Sequence, residues 1–384
     1  MKLLLLAPNP FFQNRGTPIA VRLLTAALGA HGYVIDLLTY HEGEDIELPN
    51  CRIHRTRALA WIKNIKPGFS FKKVVCDFLM FCKAVALVRK NRYDAIHAVE
   101  EAVFIARFIR RLFRVPYIYD MDSSLAEQLM ENYPLLRPLG GILRFFEKGA
   151  VRKSSGVIAV CRILEDRARQ LAPGKPVLRL EDVPLPRDAS APLEALREKY
   201  AIDGKIVMYV GNLEHYQGMD LLLNSFQMLA DSHPEASLVV IGGSAADIAD
   251  CAKFAAKLGI GKRVRFIGPR PLGQLFGFLV QADILVSPRV KGINTPMKIY
   301  SYLDSGVPVL ATNLPTHTQV LDGQIARLVA AEPAAMAAGL AALLDDGQLR
   351  ADLARRARER VGREYSHEAF QKKLCAFYDG LALG

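Results

Sequence analysis

Cysteine is sparse and unpatterned. Cys51, Cys76, Cys82, Cys161, Cys251 and Cys375 form no CxxC pair, and no histidine stands at metal-ligand spacing from any of them. This excludes a zinc ribbon and a disulfide scaffold and leaves free thiols in a reducing compartment as the expectation. No stretch reaches the roughly 18 uncharged apolar residues that a membrane-spanning helix needs. The apolar start, MKLLLLAPNP, breaks at Pro8 and is followed by no small-residue cleavage site, so it reads as a first β-strand and not as a secretory leader. Neither the GxGxxG dinucleotide fingerprint nor a P-loop occurs, and no nucleic-acid-binding motif is present.

What is there is ordinary globular material. The 384 residues are 51% hydrophobic and 23% charged, enough for two domains. The formal charge of +11 is uneven. Residues 1–190 carry 29 basic and 19 acidic side chains, whereas residues 191–384 carry 21 and 20. The two halves therefore face different partners.

Continuous apolar runs mark buried parallel strands. KLLLLA (2–7) is followed by a Pro/Gly loop, a helix over 19–31 closed by Gly32, and YVIDLLTY (33–40). The pattern continues with DAIHAV (94–99), a helix near 101–114, PYIYDMD (116–122), SGVIAV (155–160) and PVLRLED (176–182). It restarts with KIVMYVG (205–211), a helix over about 219–232, SLVVIGG (237–243), VRFIG (264–268), DILVSP (283–288) and PVLAT (308–312). From about 334 the chain is Ala-, Leu- and Arg-rich helix. The Pro/Ala/Ser-rich segment 184–196 reads as a hinge. Two doubly wound α/β domains follow, and such sheets bind ligands outside the carboxyl ends of their strands. The cleft between domains is then the default site.

Two turns stand out. In 283–313 a strand ends at Pro288, a glycine-containing loop follows, and Thr295-Pro296 opens a helix, with Pro at a favoured first position. Its amino end and Lys298 suit an anion. In 207–220 a strand leads into a loop with Gly211 and Gly218, where a backbone can approach phosphate closely.

YVGNLEHYQGMDLLLNSF (209–226), SLVVIGG, VRFIG, DILVSPRV and PMKIYSYLDSGVPVLATN (296–313) fall in an order and spacing that resembles the family-four GT-B glycosyltransferases, the group 1 or glycogen-synthase-like type. The first half fits too, through the Gly16 loop and VPYIYDMDSS (115–124). The resemblance implies an α/β GT-B fold of two Rossmann-like domains facing an interdomain cleft. Residues 1–190 would bind the acceptor and 191–365 the nucleotide sugar, with the last helix, 366–384, packed back on the first domain. It implies a retaining, metal-independent hexosyl transfer with no cofactor, the nucleoside-diphosphate sugar being a co-substrate whose leaving diphosphate assists removal of the acceptor proton. Carried over onto this chain, the donor side is Gly211, Asn212, Gln217, Gly218, Asn294, Thr295, Lys298 and Ser301. The acceptor side is Arg15, Gly16, Thr17, Glu100 and Asp122, and Asp122 and Lys298 take the catalytic roles.

The departures define a divergent subfamily. The family's Glu-x7-Glu pair falls on Ile293 and Ser301, its diphosphate-holding Arg and Lys on Asn212 and Gln217, and its first-domain His on Asp122. Lys298, with Arg289 or Lys291, has to compensate. The DxD at 120–122 is read as a local polar feature and not as a metal site. His97 is read as satisfied within its sheet, and His215 and His317 lie in loops near the donor side.

Residues 51–114 hold 15 Lys/Arg against 4 Asp/Glu. Arg107, Arg110, Arg111 and Arg114 share helical spacing. Trp61, Ile62, Ile65, Phe69 and Phe71 alternate with Lys63, Lys66, Lys72 and Lys73. This mix suits an anionic membrane surface. The expectation is a transferase working on a glycan or lipid-linked acceptor, cytoplasmic and peripheral on the inner face of the cell membrane, with no nucleic-acid partner. Two rivals share the fold: a non-catalytic binding or scaffold subunit of a glycan-assembly complex, and a sugar-nucleotide epimerase.

Overall fold

The computed structural model describes residues 1–13, 16–65, 68, 70–187 and 194–382. Arg15, Lys66, Phe69 and linker residues 188–193 lie outside the described residues. The chain divides into two compact units, Met1–Glu181 with Phe370–Gly384, and Asp182–Ala369.

The first unit is built on seven strands, β1 (Lys2–Ala7), β2 (Val34–Thr39), β3 (Cys51–Arg55), β4 (Ala95–Val99), β5 (Tyr117–Met121), β6 (Gly156–Ala159) and β7 (Val177–Arg179). They pair in parallel in the order β3-β2-β1-β4-β5-β6-β7. The second unit holds β8 (Ile206–Val210), β9 (Ser237–Ile241), β10 (Val264–Gly268), β11 (Ile284–Ser287), β12 (Val309–Thr312) and β13 (Arg327–Val329), in the order β10-β9-β8-β11-β12-β13. In each sheet the order reverses beside the first strand, between β1 and β4 and between β8 and β11. Loops leaving the carboxyl ends of those pairs diverge and leave a crevice for ligand.

The strands are apolar on both faces because helices cover both. Met208 and Leu285 enter one core with Ile299 and Leu303, while Val207, Tyr209 and Val286 enter the other with Leu222 and Leu340. Side chains alternate across a strand, so one short apolar run feeds two cores. The C-terminal helix His367–Asp379 packs on the first sheet through Tyr378, whose hydroxyl meets His97 Nδ1 at 2.5 Å. His97 Nε2–H donates to Asp120 at 3.0 Å, so both ring nitrogens are satisfied within the unit.

Several details differ from the sequence reading. Strand β3 was not anticipated, because CRIHR is an edge strand without a continuous apolar run. The helix expected over 219–232 is Met219–Gln227, and beyond it Leu229 and Ala230 make three-residue turns to Phe226 and Gln227. The helix expected to open at Pro296 starts at Lys298, with Ile299 N–H bonded to the Pro296 carbonyl. The helix near 101–114 is Ala102–Phe113, closed by Arg114 in the left-handed region.

The arginine face is also redistributed. Arg107 and Arg110 are half-buried, Arg107 reaching the Phe146 carbonyl at 3.5 Å and Arg110 lying over the Tyr117 ring. The outward stripe of that helix is Phe104, Phe108, Arg111 and Leu112. Ile62 and Ile65 are buried in the core of the first unit.

Candidate functional site

The loops after β8 and β11 meet at the switch point of the second sheet. Gly218 (φ +75) ends a short turn over His215–Gln217, and a Cβ built on it falls 2.0 Å from the Pro288 carbonyl oxygen. Val290 N–H then bonds to the Tyr216 carbonyl at 3.0 Å and ties the two loops together. Gly211 (φ +151) bonds through its N–H to Ile241, and a Cβ there would meet Tyr209 Oη and Lys298 Nζ. Only glycine lets both segments approach this closely.

Lys298 opens its helix with the ammonium 3.9 Å from the centroid of the Tyr209 ring and 3.2 Å from Gln217 Oε1, to which it donates. The helix is held against β8 by Tyr302, whose Oη accepts the Val210 N–H at 2.7 Å. Burial, and then the neighbouring Arg289, hold the Lys298 ammonium well below the usual lysine range. Arg289 is itself buried, stacked at 5.1 Å on Tyr216, and donates to the carbonyls of Lys291 and Asn294. Burial depresses it as well. Among the described residues no carboxylate pairs with either cation. Thr295 Oγ1 beside them is buried without a hydrogen-bond partner. Two crowded cations and an unanswered hydroxyl are costly to keep unless an anion joins them.

His317 underlies this loop. Its Nδ1–H donates to the Thr312 carbonyl at 2.9 Å, and its Nε2 accepts from Ser287 Oγ at 2.8 Å. Thr312 and Thr316 then hold the carbonyls of Arg289 and Asn294. Burial first, and the charges of Lys298 and Arg289 next, lower His317 from its ordinary 6.5 to about 3. The unfolded chain takes up this proton near 6.5 and the native protein only near 3. Stability of the second unit therefore rises with pH across that window and is lost as pH falls. Removing the imidazole in His317→Gln should flatten this slope, as read from thermal unfolding between about pH 7 and about pH 4.

The structure gathers Gly211, Gln217, Gly218, Asn294, Thr295 and Lys298 around these two loops. Asn212 is exposed and contributes its carbonyl to Tyr209. Ser301 is buried, and its Oγ accepts the Leu185 N–H at 3.0 Å, so it ties down the incoming segment with one of its two lone pairs. Ile293 is exposed. His215 points to solvent and pairs with Asp220. Arg289 emerges as a main cation. Tyr209 was not anticipated; an aromatic ring in an otherwise aliphatic strand was its only signal.

In the first unit, Gly16 and Thr17 start the helix after β1, Glu100 follows β4 and Asp122 follows β5. Glu100 sits in the left-handed region (φ +47) and accepts from Ser123 Oγ at 3.4 Å. Burial, reinforced by Glu101, raises it to about 7. Among the described residues no group of three or more His, Cys, Asp or Glu is arranged to hold a metal ion.

Comparison with known proteins fits this architecture. The family described as "Glycosyl transferases group 1" matches residues 194–360, and "Glycosyl transferase 4-like domain" matches residues 15–181. A phosphatidyl-myo-inositol mannosyltransferase of Mycolicibacterium smegmatis is 30% identical over 297 residues, covering 76% of this chain and 72% of that protein. A D-inositol 3-phosphate glycosyltransferase of Corynebacterium glutamicum is 32% identical over 184 residues, which is 46% of this chain and 43% of that protein. The chain thus spans less than half the length of that relative. Among solved structures, sucrose-phosphate synthase from Thermosynechococcus elongatus superposes with a TM-score of 0.80 at 20% identity, covering 99% of this chain and 98% of that one. Anabaena HepE in complex with UDP-glucose gives 0.73 at 16%, covering 99% and 100%. The fold is GT-B, and the chain belongs to the group 1 glycosyltransferases.

Proposed function

We propose that this protein transfers a hexosyl group from a nucleoside-diphosphate sugar, with retention, to a glycan or lipid-linked acceptor at the cytoplasmic face of the cell membrane. The observation that carries this reading is the pair Lys298 and Arg289, both drawn into the switch-point loops on neutral partners, with no carboxylate partner among the described residues. A diphosphate answers both charges, and charge-assisted bonds to it strengthen as the leaving group gains charge. Relatives support the donor class, since HepE is solved with UDP and UDP-glucose. The mycobacterial mannosyltransferase, whose named substrate is a phosphatidyl-inositol, supports a lipid-linked acceptor. On the acceptor side, Glu100 and Asp122 would orient the attacking hydroxyl, with the leaving diphosphate taking its proton.

The test is calorimetry against a panel of nucleoside diphosphates and their sugars, followed by detection of released nucleotide. No affinity for any of them would favour the scaffold reading, which the exposed Ile293 and the engaged Ser301 keep in play. Retained nucleotide on an altered sugar would favour the epimerase. Because protein cations meet the diphosphate in this reading, excess chelator should leave the dissociation constant within about twofold. A larger loss, restored by a divalent ion, would reject that part of the site.

A further inference from the structure

Among the described residues, the strongly exposed phenylalanines and the tryptophan all lie in unit one. The helices Phe71–Lys90, Ala102–Phe113 and Gly140–Lys153 send Met80, Ala106 and Ala150 into one core on the same sheet face. They touch in sequence. The Phe81 and Phe108 rings meet edge-on at 5.0 Å, and Arg107 reaches the Phe146 carbonyl. Their outer surfaces carry Phe78 (63% exposed), Phe104, Phe108 and Leu112, then Ile142 and Phe145 (68%). The turn Pro134–Leu139 that feeds the third helix adds Leu135, 93% exposed. A scattered exposed Leu is unremarkable, but aromatics repeated on three adjoining helices mark an interaction surface.

The charges on these helices are sorted by direction. Their only acidic residues, Asp77 and Glu147, both turn inward, Asp77 to the Tyr40 hydroxyl at 2.5 Å and Glu147 to Arg167 at 2.7 Å. Lys72, Lys83, Arg111 and Lys148 stay outside among the aromatics. The face is thus apolar and cationic, with no carboxylate of its own helices exposed. A second copy of the same face would meet it with like charge. An anionic bilayer offers what the pattern lacks: phosphates for the cations and an apolar layer below them for the rings.

We infer that the outer face of these three helices, with the turn at Leu135, inserts into the headgroup region of an anionic membrane. This deepens the reading above by naming the surface through which a membrane-presented acceptor is met. Insertion differs from the purely electrostatic attachment that the arginine spacing alone suggests. It leaves part of the binding intact at about 1 M salt, where the Debye length is about 3 Å.

The single tryptophan supplies the measurement. Trp61 is exposed and stacks on Phe71, at the start of the first of these helices, with ring centroids 6.4 Å apart. Mixed phosphatidylcholine–phosphatidylglycerol vesicles should shift its emission to the blue, and brominated acyl chains should quench it. Phe108→Ser with Phe145→Ser should lower the partition coefficient at least tenfold, since each buried Phe contributes about that factor or more. Phe145 is mostly exposed and Phe108 keeps one edge contact, with Phe81, so the melting temperature should fall by only a few degrees and the calorimetric nucleotide affinity should be unchanged. Three results overturn the inference: no blue shift or quenching in the wild type, full release by high salt, or wild-type partitioning of the double variant. A light-scattering dimer abolished by the same substitutions would assign the face to a second copy instead. Vesicle binding without nucleotide affinity would sink the transferase reading and leave this surface standing, and the reverse pattern would do the opposite.

Discussion

Lys298→Ala should weaken nucleoside-diphosphate binding by about ten- to a hundredfold while leaving the protein as stable as before or slightly more so. A charge-assisted bond to phosphate contributes roughly 1.5–3 kcal/mol, and this ammonium is, with Arg289, a cation drawn into the switch-point loops. The same group feels the charge of Arg289 and has a neutral amide as its hydrogen-bond partner. Removing it relieves burial of a charge without breaking an ion pair, so binding and stability should part company. A purely structural lysine would lose both together. Gln217→Lys in this background should partly rescue affinity, because the Gln217 amide already lies 3.2 Å from Lys298 Nζ and a lysine there can place its charge in the same space. Calorimetry and thermal unfolding check both arms. An unchanged dissociation constant in Lys298→Ala, in a protein that does bind nucleotide, would reject this site.

Gly218→Ala should destabilise the second unit by about 2–5 kcal/mol and lower nucleotide affinity with it. Two costs add. An L-residue in the left-handed region costs roughly 1–2 kcal/mol. Overlap of the new methyl with the Pro288 carbonyl, 2.0 Å away, adds about 1–3 kcal/mol, since the obstacle is backbone at the end of β11 and cannot rotate aside. For a unit of this size the loss corresponds to a melting point roughly 5–15 °C lower. Gly259→Ala is the control. Its φ of +74 is nearly the same, but nothing lies within 4 Å of the added carbon, so it should show the conformational cost alone. Equal shifts for the two variants would mean that the two loops separate freely, and the close approach of Gly218 to Pro288 would then have no part in shaping the site. Affinity should fall in Gly218→Ala because the displaced carbonyl belongs to the residue before Arg289, and the strained turn includes Gln217.

These two expectations show how the site's chemistry is divided. The β8 loop brings a glycine turn and a neutral amide, the β11 loop brings the cations, and Val290 N–H to the Tyr216 carbonyl locks one to the other. The family's charged positions on the β8 loop are neutral here, at Asn212 and Gln217. In this chain the cations at the switch point are Arg289, on the β11 loop, and Lys298, at the start of the helix that follows it.

The architecture and the identity of the loops are legible in the residues themselves. KLLLLA, KIVMYV and DILV are short and apolar without alternation, which suits only strands covered on both faces, and each is followed by turn residues and a helical pattern. That grammar suffices for two parallel α/β units, and the ordered motifs from YVGNLEHYQGMDLLLNSF to PMKIYSYLDSGVPVLATN carry the resemblance to the family. Tertiary structure alone decided the rest. Which way a helix turns depends on what packs against it, so spacing could align Arg107 and Arg110 with Arg111 but could not show the first two folding inward beneath Phe104 and Phe108. Strand β3 pairs at an edge, where neighbours and not apolar content make the strand. Ser301 was legible as a hydroxyl in the right helix, but not as the acceptor of an amide 116 residues earlier. The electrostatic state of Lys298 is the clearest case. Its position follows from sequence, but the absence of a counter-ion among the described residues is a property of space, fixed by which residues the fold brings within a few ångströms of it.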